Sequence, residues 1–303
     1  MEHIPISGKT QVLGVIGDPV EHSLSPLMHN YVLDKLGLDY CYLPFHVRSD
    51  LAGGVVAAMH TLGLSGLNVT IPHKQVVRDQ LNLLSKEAEA VGVVNTVGLD
   101  ETGNLMGHNT DVAGFEKSLA IRDLLGQLDG KSAVVMGAGG AARAVLYALA
   151  RNGISHLTVG YRTHFDNAEE LAGWFLYHFP NVRVSLVPFE ETQDLVNALY
   201  DVAITVNVTP QGMAPMVDRS PLPDGVLPRE GSIVFDTIYT PERTLLLIRA
   251  EEGGCRTVNG LDMLIIQGME SLEWWLGQEV GWRDMLDELR ELLNKALSEK
   301  KPK

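Results

Sequence analysis

The sequence predicts an α/β fold in two domains, and three observations carry that reading. Short β-branched runs alternate with amphipathic helical stretches along the chain, which is the pattern of strands packed between helices. A glycine-rich turn, Gly137-Ala138-Gly139-Gly140-Ala141-Ala142, stands between an apolar run ending at Met136 and a helical stretch. The 303 residues suffice for two domains, each with its own core.

Val12 to Ile16 reads as the first strand. A helix follows, with Ser25 as its cap, Pro26 in its first turn and Gly37 as its stop, the residue types that favour those places. Leu27, Met28, Tyr31, Val32 and Leu36 form its apolar face. Tyr40 to Val47 is a second strand, Leu51 to Leu62 a helix, and Gly66 to Thr70 a third strand. Val93 to Leu99 and Asn104 to His108 flank Asp100-Glu101-Thr102-Gly103, a hairpin turn. A second series starts after Gly130, with strands at Ser132 to Met136, Leu157 to Tyr161, Val182 to Val187, Val202 to Asn207, Ile233 to Asp236 and Arg256 to Val258. Gly140 to Asn152 is the helix after the glycine turn, and so many alternations predict a doubly wound sheet. Pro210 to Pro228 reads as one long loop, and Leu261 to Leu276 and Arg283 to Leu297 as two closing helices.

Composition narrows the function. The net charge of −14 argues against nucleic acid or an anionic membrane as partner. The two cysteines, Cys41 and Cys255, show no CxxC spacing, so no disulfide framework is expected and the cytoplasm is the expected compartment. The start, Met1-Glu2-His3-Ile4-Pro5, lacks a signal-peptide pattern, and no apolar run approaches the ~20 residues of a membrane span. The 10 histidines, among them His22, His73 and His108, show no ligand spacing. They read as loop or surface residues, and no metal is expected.

The glycine turn has the strand–turn–helix setting in which backbone N–H groups approach a pyrophosphate at a helix N-terminus. The alternative is a tight turn that binds nothing. Upstream lies a relay of polar motifs: Ser23-Leu24-Ser25-Pro26, Asn68-Val69-Thr70-Ile71-Pro72-His73-Lys74, Val94-Asn95-Thr96 and Asn109-Thr110-Asp111. Each has a structural alternative. Ser25 could only cap, and Asn68, Thr70 and Asn95 could satisfy turns. Asp111 could cap a helix near Val112, and Lys74 could be an exposed lysine. Together these groups follow strands, where open α/β sheets bind ligands. They suit a small polyhydroxylated carboxylate.

With Asn207-Val208-Thr209-Pro210-Gln211-Gly212-Met213 and Gly260-Leu261-Asp262-Met263-Leu264-Ile265-Ile266-Gln267, these motifs run in the order found in shikimate dehydrogenases. The chain resembles that family over nearly its whole length. The resemblance implies a substrate-binding α/β domain, residues 1–110 plus 261–303, a Rossmann NADP-binding domain, residues 111–260, and an active site in the cleft between them. It implies NADPH-dependent reduction of 3-dehydroshikimate to shikimate on the route to aromatic amino acids. It also implies a small-molecule partner and a homodimer as one possible assembly. Ser23 and Ser25 would hold the substrate carboxylate, with Tyr239 near it. Asn68, Thr70, Asn95 and Gln267 would bind ring hydroxyls, and Lys74 and Asp111 would flank the reacting oxygen. Gln267 lies among Ile265, Ile266, Met269 and Leu272, where an amide needs a partner. Gly137, Ala138, Gly139, Gly140 and Ala141 would take the cofactor pyrophosphate, and Asn207, Thr209 and Gly260 would complete the cofactor contacts.

A carboxylate after the second Rossmann strand favours NAD and an arginine accommodates NADP. Here Tyr161-Arg162-Thr163 precedes His164-Phe165-Asp166, so Arg162 and Thr163 predict NADP, with NAD possible because the family's second arginine is missing. Val208 replaces the usual alanine, and Phe165 to Glu191 and the C-terminal tail are long. The rival readings are an NAD-dependent quinate/shikimate dehydrogenase and a ligand-sensing regulator without catalysis. Retention of both Lys74 and Asp111 disfavours the regulator.

Overall fold

The computed structural model describes residues 5–161 and 165–299, so Arg162 and Thr163 lie outside the described residues. In chain order the elements are β1 (Gln11–Gly17), α1 (Ser25–Leu36), β2 (Tyr40–His46), a 3₁₀ turn (Ser49–Gly54), α2 (Val55–Leu62), β3 (Gly66–Val69), α3 (Lys74–Arg78), β4 (Leu83–Leu84), α4 (Lys86–Val91), β5 (Thr96–Leu99) and β6 (Leu105–His108). There follow α5 (Asp111–Ala120), a 3₁₀ turn (Leu125–Gln127), β7 (Ser132–Met136), α6 (Gly140–Arg151), β8 (His156–Tyr161), α7 (Phe165–His178), β9 (Arg183–Pro188) and α8 (Thr192–Tyr200). The chain ends with β10 (Ile204–Asn207), β11 (Ile233–Asp236), α9 (Leu245–Glu252), β12 (Arg256–Val258), α10 (Leu261–Leu276) and α11 (Trp282–Glu299). Among the described residues no helix is long and apolar enough to cross a membrane.

The chain divides into two compact units. One runs to Gly114 and resumes at Ile265, and the other is Phe115–Leu264. The first holds a six-stranded sheet of order β2-β1-β3-β5-β6-β4. It is mixed: β5 runs antiparallel to β3 and, across the hairpin turn, to β6. Ile16, Leu67, Val69 and Val97 from its strands bury against Met59, Val77 and Ala88. On α10, Trp275 and Trp274 lie where Gly66 and Gly98 lack side chains. A Cβ at Gly66 would come within 2.5 Å of Trp275, and one at Gly98 within 2.6 Å of Trp274. The Trp275 indole N–H also donates to the Val97 carbonyl, 3.0 Å away.

The second unit holds a parallel sheet of order β12-β11-β10-β7-β8-β9. Counted from β7, that is the 3-2-1-4-5-6 order of doubly wound dinucleotide-binding sheets, with its switch point between β7 and β10. The strands are apolar runs buried on both faces, including Val134, Val135, Val206, Val234 and Phe235, as a parallel sheet covered by helices requires.

Several local expectations change. Ser25 does not cap α1. It is the first helical residue, the cap position is Leu24, and no side-chain cap bond forms there. Leu24 already has helical dihedrals (φ −89°, ψ −9°), so no extended residue precedes the helix to aim a hydroxyl at its N–H groups. The buried face of α1 is Met28, His29, Val32 and Leu33, while Leu27 and Leu36 are exposed. The stretch Leu51 to Leu62 is broken into a 3₁₀ turn and α2, at Gly53-Gly54. The short elements β4, α3 and α4 escape periodicity altogether. His29 and His73 are buried, not superficial. Each ring meets backbone carbonyls: His73 Nε2 lies 2.7 Å from Val47 O, and His29 lies between Ser25 O and Gly268 O. His108 sits in β6, 2.6 Å from the Ser85 hydroxyl, and burial lowers its pKa.

Candidate functional site

In the first unit the polar motifs converge at strand ends. Lys74 opens α3, immediately after the Thr70–His73 turn, which His73 pins by its backbone N–H to Thr70 O (3.0 Å) and by its ring to Val47. Asp111 opens α5. The side chain of Asn109 accepts from the backbone N–H groups of Asp111 (3.1 Å) and Val112 (3.4 Å), so Asn109 does the capping and the Asp111 carboxylate is left for other partners. Lys74 Nζ donates to Asp111 Oδ2, and both side chains are largely buried, 18% and 10% exposed.

Asn95 orients that carboxylate. Its Nδ2 donates to Asp111 Oδ1 (2.9 Å) and Thr110 Oγ1 (2.9 Å), and lies 3.4 Å from Gln267 Oε1. Its Oδ1 accepts from Thr110 N (2.8 Å) and Thr96 Oγ1 (3.0 Å). Both amide hydrogens and both lone pairs are therefore occupied. Asn68 is almost as fully used. Its Nδ2 reaches Ser271 Oγ (2.9 Å), Thr96 Oγ1 (3.1 Å) and Asn95 O (3.3 Å), while its Oδ1 accepts from the Tyr42 hydroxyl (2.7 Å). The carbonyl of Asn95 fixes which way this amide points, because only the NH₂ side can meet it. Burial holds the Tyr42 pKa well above its usual value, against the opposing hydrogen bond of the Ser25 side chain. Ser23 Oγ accepts the Ser25 N–H at 3.3 Å. Thr70, Ser23 and Gln267 are partly exposed, and Ser25 is buried.

Two members of this network, Ser271 and Tyr42, are not among the residues expected from sequence. Ser271 Oγ lies 2.8 Å from Thr96 Oγ1 and 3.0 Å from Thr110 Oγ1. It stands four residues after Gln267 and four before Trp275 on α10, so the three share one helix face. That polar i, i+4 pair on an apolar helix is the sequence signal that could have found it.

In the second unit the glycine turn lies at the switch point. Gly137 has φ +117°, and a Cβ there would meet Val208 Cγ2 at 3.0 Å and Thr209 Cγ2 at 3.1 Å, so glycine is required for the turn and for the approach of the β10 loop. Gly139 is extended and caps α6 without a side-chain bond, and a Cβ there would meet nothing within 4 Å. The N–H groups of Gly140 and Ala141 open α6 beside this space, which fits a pyrophosphate, while the Ala142 N–H donates to Gly139 O (3.0 Å). Ala142, fully buried, allows close helix–strand packing. Ala138 and Ala141 are partly exposed beside it.

Asn207 ends β10 level with Asp236 at the end of β11. Its amide is occupied internally: Nδ2 donates to Asp236 Oδ1 (3.0 Å) and Gln211 O (3.1 Å), and Oδ1 accepts from Thr209 N (2.9 Å) and Oγ1 (2.7 Å). Asn207 therefore shapes the loop that presents Thr209. Gly260 admits the 237–241 loop, since a Cβ on it would sit 2.0 Å from Thr237 O. Tyr239 belongs to that loop and is partly exposed, and burial raises its pKa. Among the described residues no group of three or more His, Cys, Asp or Glu side chains could hold a metal ion.

Comparison with known proteins decides the family. A shikimate dehydrogenase (NADP(+)) of Gloeothece citriformis is 40% identical over 297 residues, covering 95% of this chain and 99% of that protein. The chain belongs to the shikimate dehydrogenase family. The model of the shikimate dehydrogenase substrate binding domain matches residues 15–97, the stretch from β1 into β5. The crystal structure of shikimate 5-dehydrogenase from Listeria monocytogenes, in complex with shikimate and NAD, is 36% identical. It superimposes with a TM-score of 0.86 over 95% of this chain and 98% of its own. Quinate dehydrogenase from Corynebacterium glutamicum, in complex with NAD, is 31% identical, with a TM-score of 0.81 over 94% and 99% of the two chains. The shikimate dehydrogenase fold thus accounts for both sheets.

Proposed function

We propose that this chain is an NADP-dependent shikimate dehydrogenase, which reversibly reduces 3-dehydroshikimate to shikimate in aromatic amino acid biosynthesis. The observation that carries the reading is the Lys74–Asp111 pair, with its carboxylate held by Asn95. The first unit is the substrate-binding domain and the second the NADP-binding domain.

When bound, NADP supplies or accepts the hydride at the carbinol carbon. The chain's own residues handle the oxygen. Lys74 and Asp111 flank it and carry its proton, general acid–base work that contributes about 10²–10⁴-fold in rate. Ser23 and Ser25 hold the carboxylate, Thr70 and Gln267 the ring hydroxyls. Asn68 and Asn95, whose hydrogen-bonding capacity is nearly filled by protein groups, set the distance and angle of those contacts. The open N-terminus of α6 takes the pyrophosphate.

The second reading, a quinate/shikimate dehydrogenase using NAD, is kept because the structure of the quinate enzyme is also similar. Initial rates with shikimate and quinate, each with NAD and NADP, separate the two. The best pair should be shikimate with NADP. Faster turnover of quinate with NAD would replace the reading, and absence of turnover with all four pairs would point to a regulator.

A further inference from the structure

Asp236 is fully buried at the end of β11, and its carboxylate joins three separate segments. Oδ1 accepts from Asn207 Nδ2 of β10 (3.0 Å) and from Ile238 N of its own loop (3.0 Å). Oδ2 accepts from the hydroxyl of Thr244 (2.7 Å), the residue that caps α9 through Leu247 N (3.3 Å). Asn207 in turn holds Thr209 by two bonds, and its carbonyl receives the Thr237 N–H (3.0 Å) and hydroxyl (2.9 Å). The loop after β10 and the loop after β11 are therefore tied twice, through the Asn207 carbonyl and through the Asp236 carboxylate, and only the carboxylate also reaches α9.

We propose that Asp236 is a positioning residue: its carboxylate locks the Thr209 loop to the Tyr239 loop and thereby sets the affinity of this unit for NADP. The inference rests on the proposed cofactor. The groups that meet the carboxylate are neutral: an amide from β10, a backbone N–H from its own loop and a hydroxyl from α9. All three donate, so all three bonds are strongest to the ionised form. Burial pushes this carboxyl up from 3.8 to about 6, against the opposing effect of those bonds, and no ionisable neighbour among the described residues contributes. The lock is then engaged above about pH 6 and slackens below it.

The test combines kinetics between pH 5 and 8 with backbone amide hydrogen exchange at pH 7.5, which needs no ligand. In the wild-type protein KM for NADP should rise as pH falls through about 6 while kcat changes less. Asp236→Asn, which keeps the shape but not the charge, should show a KM for NADP about tenfold higher and flat with pH, with kcat within about threefold. Its Ile238 and Thr209 amides should exchange about tenfold faster than in the wild type. Thr244→Val, with one donor to the charged form removed, should move the KM limb to higher pH, and Thr244→Ser should restore it. If Asp236→Asn does not fold, the Thr244 pair decides alone. An unchanged KM limb in Asp236→Asn or Thr244→Val, or unchanged exchange at Ile238 and Thr209, would overturn the proposal. Absence of turnover in the wild type would overturn the functional reading instead, and hydrogen exchange would still decide the lock.

Discussion

In each unit an asparagine amide holds an aspartate. Asn95 donates to Asp111 at 2.9 Å, and Asn207 donates to Asp236 at 3.0 Å. The remaining partners differ. Asp111 pairs with the ammonium of Lys74 and keeps 10% of its side chain exposed. Asp236 is fully buried among neutral donors, and its carboxyl is pushed up to about 6. A carboxylate that works on a substrate must be reachable and charge-matched. A carboxylate that organises backbone needs donors around it, at a cost in desolvation. The same side chain, held by the same kind of amide, takes its role from the charge and exposure of its other neighbours.

The sharpest way to break this contrast is to remove the charged pair. Lys74→Ala and Asp111→Asn should each lower kcat for shikimate oxidation by about 10²–10⁴-fold, with a much smaller change in KM. Steady-state rates at saturating NADP measure this. A variant that kept near wild-type kcat would remove its residue from the chemistry.

The second aspartate should reveal itself in stability. A carboxyl whose folded-state pKa is about 6, against 3.8 unfolded, binds its proton more tightly in the folded protein. Its contribution to stability is therefore complete below about pH 4 and is lost as pH rises through about 6. The loss amounts to about 3 kcal/mol at neutral pH. Asp236→Asn should consequently unfold at higher denaturant than the wild type at pH 7.5, and at the same concentration near pH 4. A variant less stable than wild type at pH 7.5 would show that the charge-assisted bonds outweigh desolvation. Gain of stability with loss of NADP affinity is the trade expected of a strained functional group.

How legible these two networks were follows from how each is built. The Lys74–Asp111 side was readable because its members sit in short contiguous motifs directly after strands. Tyr42 and Ser271 were not, because each reaches the cluster through tertiary packing, from β2 and from α10, and a hydroxyl in an apolar element looks ordinary by itself. Asp236 ends a strand correctly placed from sequence, but nothing in the sequence reveals that Thr244 and Asn207 turn toward it. The amide of Asn207 is filled inside the protein by Thr209, Gln211 and Asp236, bonds that its motif does not reveal. The doubly wound sheet was legible from alternation alone. The mixed order of the first sheet was less so, since the two-residue β4 has no period to read.

The glycine turn offers a finer comparison inside the second unit. Gly137→Ala forces a methyl onto a backbone at φ +117° and against Val208 and Thr209, so it should cost about 1–3 kcal/mol in stability. Gly139→Ala meets nothing within 4 Å and should melt like the wild type. Its methyl would stand in the space at the start of α6, and KM for NADP should rise. Equal melting of the two variants, or unchanged NADP affinity in Gly139→Ala, would defeat the division of labour between a structural and a ligand-facing glycine.

The smallest effect separates helix capping from substrate binding at Ser25. Because Leu24 occupies the cap position and no side-chain cap bond is made there, Ser25→Ala should lose no capping energy, only the bond of its buried hydroxyl to Tyr42, about 1 kcal/mol. The Tyr42 hydroxyl keeps its bond to Asn68 Oδ1, so the network beneath stays satisfied. With substrate bound the hydroxyl would turn its single hydrogen from Tyr42 to the substrate carboxylate, and a hydrogen bond to a charged group contributes about 1.5–3 kcal/mol against about 1 for the bond it replaces. KM for shikimate should then rise about two- to thirtyfold, with KM for NADP unchanged. A drop in melting temperature without a change in KM would return Ser25 to a purely structural place in α1, and a rise in both KM values would mean that its removal disturbs more than the carboxylate contact.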